Sequence, residues 1–217
     1  MRSARLPKNG LWRVQHSSGT PPSPEPLDLA EIQTSGNRFD APDGEFQIRY
    51  YSSAATGCFA ETLARFRPSP GLAELVRAEW AGRQFMEPGA IPADWRAKRE
   101  LIRVLPGQGN TFLDFDHSIT LISFRKALSG VLGPFYRGDL DLSVLKNSDR
   151  RIPRTTALWV YKNTGYAGIR YTSRLGSNHI NWAVFDRAQL HTVEMRAIHK
   201  DQPSLRKIAR DYVLTIH

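Results

Sequence analysis

Residues 38–66 have the sequence RFDAPDGEFQIRYYSSAATGCFAETLARF, which contains signals for a turn, a strand and a helix in direct succession. The segment 38–44 is rich in Asp, Pro and Gly, which is typical of turns. Apolar and polar residues alternate at period two over 45–51, and this alternation predicts a strand. A serine pair then precedes a helix predicted over 54–66, which ends before Pro68.

The remainder of the chain mixes strands and helices without a regular strand–helix–strand repeat, so the predicted fold class is α+β. A loop at 17–26 contains four prolines, which exclude a helix or a central strand there. Further helices are predicted at 71–82, 118–132 and 155–165, strands at 101–105, 111–115, 168–173, 180–186 and 191–198, an ambiguous segment at 140–145 and an amphipathic stretch at 204–216.

The length and the charge of the chain limit its organisation and its partners. The 217 residues predict a single domain over 1–217, because this length supports one substantial core. The net charge of +9 fits a nucleic acid, an acidic protein or an anionic small molecule as partner. Arginines are dispersed along the chain, whereas tracking of phosphates usually requires a basic stripe or tail, so nucleic-acid binding is disfavoured.

Compartment and membrane association are predicted from the absence of two sequence signals. No run of 18 apolar residues occurs, and the basic start of the chain is followed by no apolar segment, so neither a membrane span nor export is expected. The single cysteine, Cys58, excludes an internal disulfide. These features together predict a cytoplasmic protein.

Several patterns that resemble functional motifs are better explained otherwise. The segment GQGNTF at 107–112 lacks the third glycine of a dinucleotide-binding turn. Asp114, Asp116 and His117 are interpreted as a solvated strand edge rather than a metal site, and no metal is predicted. Cys58 lies among apolar residues, which predicts a buried thiol rather than a nucleophile.

Two segments together resemble the RES-domain family. The first is the stretch at 38–66, and the second is GIRYTSRLGSNHINWAVFD at 168–186. The Arg, Glu and Ser that give this family its name correspond to Arg38, Glu61 and Ser173. The resemblance is strongest over residues 11–187.

The resemblance implies a fold, an activity and a partner. The implied fold is an ADP-ribosyltransferase-like split sheet, mixed or antiparallel, flanked by helices. The implied activity is cleavage of the nicotinamide–ribose bond of NAD by a glycohydrolase or a phosphorylase that serves as the toxin of a toxin–antitoxin pair. NAD is then the substrate, inorganic phosphate is a candidate co-substrate, and no resident cofactor is expected. The implied partner is an Xre-like antitoxin, which we expect to be acidic at the contact.

The chemistry of two residues suits this activity. A carboxylate at Glu61 can stabilise the positive charge of an oxocarbenium-like transition state. From the residues alone, an exposed i,i+4 ion pair with Arg65 is the favoured role of Glu61, and the resemblance reverses this preference. Arg38 can bind a pyrophosphate through both prongs of its guanidinium, although pairing with Asp40 or Asp43 is the alternative.

Other residues complete the expected NAD site. Tyr50 could stack on nicotinamide or bind the ribose, and Tyr51 replaces it if the strand register differs by one residue. Ser173 is expected to bind the ligand or to hold Glu61, while Arg174 and Arg170 are further candidates for phosphate contacts.

The sequence leaves two other functions open. A protein ADP-ribosyltransferase would use the same NAD site, because the acceptor is not encoded in the residues that bind NAD. A non-catalytic nucleic-acid-binding module would instead explain the basic charge. The oligomeric state, and the choice of water, phosphate or protein as acceptor, are not predicted.

Overall fold

The structure is a computed structural model that describes residues 1–17, 36–68, 71, 88–146, 149–176 and 178–217. Its strands are β1 (Ser3–Ala4), β2 (Leu11–His16), β3 (Ile48–Ser52), β4 (Ala90–Ile91), β5 (Arg99–Pro106), β6 (Phe112–Asp114), β7 (Gly168–Thr172), β8 (Ile180–Phe185), β9 (Leu190–Ala197) and β10 (Thr215–Ile216). Its α-helices are α1 (Ala55–Leu63), α2 (Ala93–Ala97), α3 (Ser118–Ala127), α4 (Ser129–Leu132), α5 (Leu142–Leu145), α6 (Arg151–Asn163) and α7 (Pro203–Asp211).

Eight strands form one mixed sheet in the order β1-β6-β7-β8-β3-β2-β5-β9. All neighbours in it are antiparallel except β6 and β7, and a separate parallel pair joins β4 to β10. Between β2 and β3 the register contains one residue pair, Trp12 opposite Ser52. The sheet therefore divides at this junction into two halves, and the predicted α+β class is confirmed.

Helices cover the two half-sheets with separate apolar clusters. Phe124 of α3 and Val160 of α6 are fully buried in the cluster that contains Ile169 of β7 and Phe185 of β8. Burial of side chains of this size is the main favourable contribution to folding. This cluster holds α3 and α6 against the half-sheet to which β8 belongs.

A second cluster holds α1 against the other half-sheet. Phe59 and Leu63 of α1 pack in this cluster with Leu205 and Ile208 of α7 and with Leu101 of β5. The remaining face of α1 is free to present polar side chains. The C-terminal helix thus supports the helix on which Glu61 lies.

Most predicted elements occur, with shifts that have local causes. The strand predicted at 45–51 begins only at Ile48, because the backbone N–H of Gln47 donates to Asp186 Oδ2 at 3.1 Å. The helix predicted over 54–66 is α1 followed by a 3-10 turn at Ala64–Phe66. The helix predicted over 118–132 is interrupted at Leu128.

Two helices differ from their predictions, and an aspartate before each of them accepts a backbone N–H of its first turn. The ambiguous segment 140–145 contains α5, because Asp141 accepts the backbone N–H of Val144 at 2.9 Å. Helix α6 begins at Arg151, earlier than predicted, and the Arg151 N–H donates to Asp149 Oδ1 at 3.0 Å.

Two predictions fall on residues that the structure does not describe. They are the helix at 71–82, apart from Gly71, and the proline-rich loop at 17–26, apart from Ser17. Across the described residues, no helix combines the length and the apolar character that a membrane crossing requires.

Candidate functional site

A cleft of about 670 Å³ opens where the sheet divides. It is lined by Arg13 of β2, by Tyr50 and Tyr51 of β3, and by Glu61 of α1. The loop before β3 contributes Arg38. The junction of the half-sheets thus brings together side chains that are far apart in the sequence.

The Glu61 carboxylate is held by two side chains from the opposite wall. Oε1 accepts a hydrogen bond from Ser173 Oγ at 2.6 Å and one from Asn181 Nδ2 at 2.5 Å. Glu61 therefore uses its carboxylate in the cleft and not in an ion pair with Arg65. Since the residue as a whole is exposed, the carboxylate remains accessible to a ligand.

Ser173 lies behind Glu61 and is 7% exposed. Its Oγ also accepts the backbone N–H of Leu175 at 2.9 Å, and its own N–H donates to the His179 carbonyl at 2.8 Å. These bonds fix the hydroxyl so that its proton points at Glu61. Of the two roles expected for Ser173, the contacts favour holding Glu61.

The turn before β3 is fixed by Tyr50. Its hydroxyl donates to Asp40 Oδ1 at 2.7 Å and accepts the N–H of Phe39 at 3.0 Å. Burial, followed by the negative charge of Asp40, raises the pKa of Tyr50 well above its usual value. Tyr50 therefore stays a neutral donor, and Asp40 is bound to Tyr50 rather than paired with Arg38.

The sequence left Tyr50 and Tyr51 as alternatives for the site, and both of them line the cleft. Their contacts differ, because Tyr50 binds Asp40 whereas Tyr51 lies near Arg13. Tyr51 is buried, and the guanidinium of Arg13 lies 6.0 Å from the centre of its ring. Burial raises the pKa of Tyr51 as well.

Arginines give the cleft a strongly positive character. Arg13, Arg38, Arg150 and Arg174 all line it. Burial lowers the pKa of Arg38, and repulsion from Arg174 lowers it further, whereas the tyrosines and Glu61 nearby raise it. Because an arginine remains charged nonetheless, an anion between these groups would relieve the repulsion.

Sequence reasoning missed several residues of the site. Arg13, Arg150, Tyr171 and Asn181 line the cleft, and Asp40 anchors its turn. Tyr171 and Asn181 lie within the second segment of the family resemblance and face each other across β7 and β8, so that segment contained their signal. Burial, followed by the charge of Glu61, raises the pKa of Tyr171.

The interpretation of Asp114 and Asp116 as a solvated edge is wrong. Their side chains are only 22% and 14% exposed, and both pair with Arg170, at 3.0 and 3.4 Å. Asp116 also pairs with Lys146 at 2.7 Å. Parallel pairing of β6 with β7 brings these charges together, and it engages Arg170 outside the cleft. Among the described residues, no three His, Cys, Asp or Glu side chains are arranged to hold a metal ion.

The prediction that Cys58 is buried is confirmed. Its thiol donates to the Trp12 carbonyl at 2.8 Å, and burial raises its pKa to about 12. A thiol that stays protonated at neutral pH is a poor nucleophile.

Comparison with known proteins identifies the family. A similar solved structure is "Crystal structure of the M.tuberculosis MbcT-MbcA toxin-antitoxin complex", with a TM-score of 0.54 and 12% identity over 94% of this chain and 89% of that chain. No curated protein matches the sequence. The structural likeness confirms the predicted ADP-ribosyltransferase-like α+β fold. The family profile described as "RES domain" matches residues 10–206, which is most of the sequence, and the chain therefore belongs to the RES-domain family.

Proposed function

We propose that this protein degrades NAD by cleaving the bond between nicotinamide and ribose. The observation that carries the proposal is the composition of the cleft, in which Glu61 is the only acidic residue among the described lining residues and four arginines surround it. A dinucleotide needs both a cationic site for its pyrophosphate and a carboxylate near the reacting ribose. The volume of about 670 Å³ lies in the range of small-molecule sites.

Glu61 supplies the electrostatic part of the mechanism. As the bond between ribose C1′ and the nicotinamide nitrogen breaks, its electron pair leaves with nicotinamide and positive charge develops on the ribose. A fixed carboxylate stabilises that charge without reorganising during the reaction. The hydrogen bonds from Ser173 and Asn181 keep Glu61 in place for this role.

The arginines hold the rest of the substrate. Arg38 and Arg174 are close enough in the cleft to repel each other, which makes this pair the best candidate for the pyrophosphate. Tyr50 contributes by fixing the turn of Arg38 and by offering its ring to the ligand. Water, inorganic phosphate or a protein side chain then captures the ribose.

The biological role that we propose is that of a toxin in a toxin–antitoxin pair. Membership of the RES family and the fold shared with a protein from a toxin–antitoxin complex support this role. Loss of NAD would harm the cell that makes the enzyme, so a partner must restrain it. The net charge of +9 favours an antitoxin that is acidic at the contact, and we expect an Xre-like protein in the same cytoplasm.

An assay of purified protein with NAD tests the activity. Loss of NAD with release of nicotinamide is expected, and the product formed with and without inorganic phosphate identifies the acceptor. Label transferred from NAD to protein would instead favour ADP-ribosylation. Unchanged NAD, combined with binding of duplex DNA that weakens steeply with salt, would overturn the proposal in favour of a nucleic-acid-binding module.

A further inference from the structure

We propose that Asn181 is a positioning residue that orients the Glu61 carboxylate for the reaction. The inference rests on the proposed function, because it assigns a role at the same site. It adds a residue from β8 that lies 120 positions from Glu61 in the sequence.

Asn181 and Ser173 restrain the same oxygen. Both donate to Glu61 Oε1, whereas Oε2 receives no hydrogen bond from the described residues. Two donors on one oxygen fix the plane of the carboxylate and leave the second oxygen for the substrate. A carboxylate held in this way is pre-organised for a charge that develops during the reaction.

The backbone gives Asn181 a rigid position. In the middle of the sheet it pairs with Ser52 of β3 on one side and with Tyr171 of β7 on the other, and it is 2% exposed. Glu61, in contrast, is an exposed residue of α1. A fixed strand thus determines the orientation of a side chain that would otherwise sample several rotamers.

The oxygen atom of the Asn181 amide, Oδ1, argues against a purely structural role. Since Nδ2 faces Glu61, Oδ1 points away from it, and this buried oxygen has no hydrogen-bond partner among the described residues. An unsatisfied buried acceptor lowers stability. The next four residues of the strand, Trp182 to Phe185, are buried and apolar. An apolar residue at 181 would suit folding better, which indicates that asparagine serves the site.

The inference is tested by Asn181→Leu, with Thr120→Val as the control. Each substitution replaces a buried polar side chain by an apolar side chain of similar size. Asn181→Leu removes the donor and also the unsatisfied oxygen, so we expect kcat for NAD loss to fall on the order of 100-fold, as for a reacting group misplaced by about 1 Å. The KM should stay nearly constant and the melting temperature should not fall. Thr120→Val is the matched control, because Thr120 is a buried polar residue outside the cleft that accepts the N–H of Arg2. It should keep the wild-type kcat.

Asn181→Asp tests the contact between residue 181 and the reacting carboxylate through the pH dependence of the rate. The new carboxylate would lie against Glu61, and adjacent carboxylates share a proton, so the acid limb of the pH–rate profile should move to higher pH. The ionisable groups around Glu61 are the same in wild type and variant. Among the described residues they include Arg38, Cys58, Tyr171 and Tyr212, together with the cleft arginines Arg13, Arg150 and Arg174.

The outcomes separate this inference from the proposed function. A wild-type protein that leaves NAD intact would overturn the proposed function and the inference together. An active wild type with undiminished kcat in Asn181→Leu, or an unmoved acid limb in Asn181→Asp, would overturn the inference alone. A loss in Asn181→Leu that disappears once rates are normalised to the folded fraction would also overturn the inference and leave the proposed function standing.

Discussion

The hydroxyl of Tyr50 and the carboxylate of Asp40 form a 2.7 Å hydrogen bond that ties β3 to the turn carrying Arg38. The same hydroxyl accepts the Phe39 N–H, and Asp40 also accepts the N–H of Asn37. The residues on both sides of Arg38 are thereby fixed before any ligand arrives. Pre-organisation of this kind lowers the entropy lost on binding.

Tyr50→Phe should therefore destabilise the protein and weaken NAD binding while the ring remains. Asp40 is 4% exposed, and the loss of one partner of a buried acceptor costs about 1–3 kcal/mol in the free energy of unfolding. Urea denaturation measures the stability, and calorimetry in the inactive Glu61→Gln background measures the affinity. Tyr166→Phe is the control, because its hydroxyl makes only an exposed 3.4 Å contact with Ser3. Equal stability of both variants would contradict the role assigned to Tyr50.

Arg38→Lys should lose most of the affinity for NAD although the charge is conserved. A lysine ammonium is a point charge and cannot reproduce a two-pronged contact with phosphate oxygens. Calorimetry in the Glu61→Gln background measures the binding. Arg187→Lys is a suitable control, because Arg187 lies outside the cleft and donates to the Thr164 carbonyl. Unchanged affinity in Arg38→Lys would exclude Arg38 from the pyrophosphate site.

Glu61→Gln should preserve the fold and lower the rate of NAD loss by on the order of 10²–10⁴-fold. The range is that of a positioned catalytic acid or base, and the amide keeps the shape but removes the charge. Glu45→Gln is the control, because Glu45 is exposed and its 3.8 Å ion pair with Lys162 lies outside the cleft. Retention of more than half of the activity in Glu61→Gln would show that the carboxylate has another role.

Local sequence patterns predicted much of this molecule because their causes are local. Period-two alternation located β3, and the break at Pro68 limited the helix that carries Glu61. Resemblance to a family then singled out Ser173, which lies 112 residues from Glu61 and next to it in space. No periodicity could have paired those two residues.

The missed features depend on contacts between distant segments. Asn181 is the one polar residue in an apolar strand, and its importance follows only from register with β3 and β7. Asp114 and Asp116 alternate like solvated residues, but parallel pairing of β6 with β7 gives them Arg170 as a partner. Register across a sheet is set by packing of the whole domain and is not encoded in one strand.

Gly57→Ala should destabilise the protein, because α1 packs closely against β3 at this point. A Cβ at Gly57 would lie 2.0 Å from Ser52 Oγ, which donates to the Ile180 carbonyl. Overpacking of this kind typically costs about 1–3 kcal/mol. Gly130→Ala is the matched control, because that helical glycine has open space around it and alanine there should be neutral or stabilising. Urea denaturation of both variants checks the difference in sign.

The proposed toxin role can be tested in cells. Expression of the protein alone should stop growth and lower the NAD content, and Glu61→Gln should abolish both effects because it removes the proposed catalytic charge. Co-expression with a cognate antitoxin should restore growth and NAD.

Because the net charge is +9, association with an acidic partner should slow as salt is added, while the buried apolar contacts set the lifetime of the complex. Association kinetics of the Glu61→Gln protein over a salt series measure this effect without toxicity. Cells that grow normally and keep their NAD while producing the intact protein alone would contradict the toxin role, and an association rate independent of salt would contradict an acidic contact.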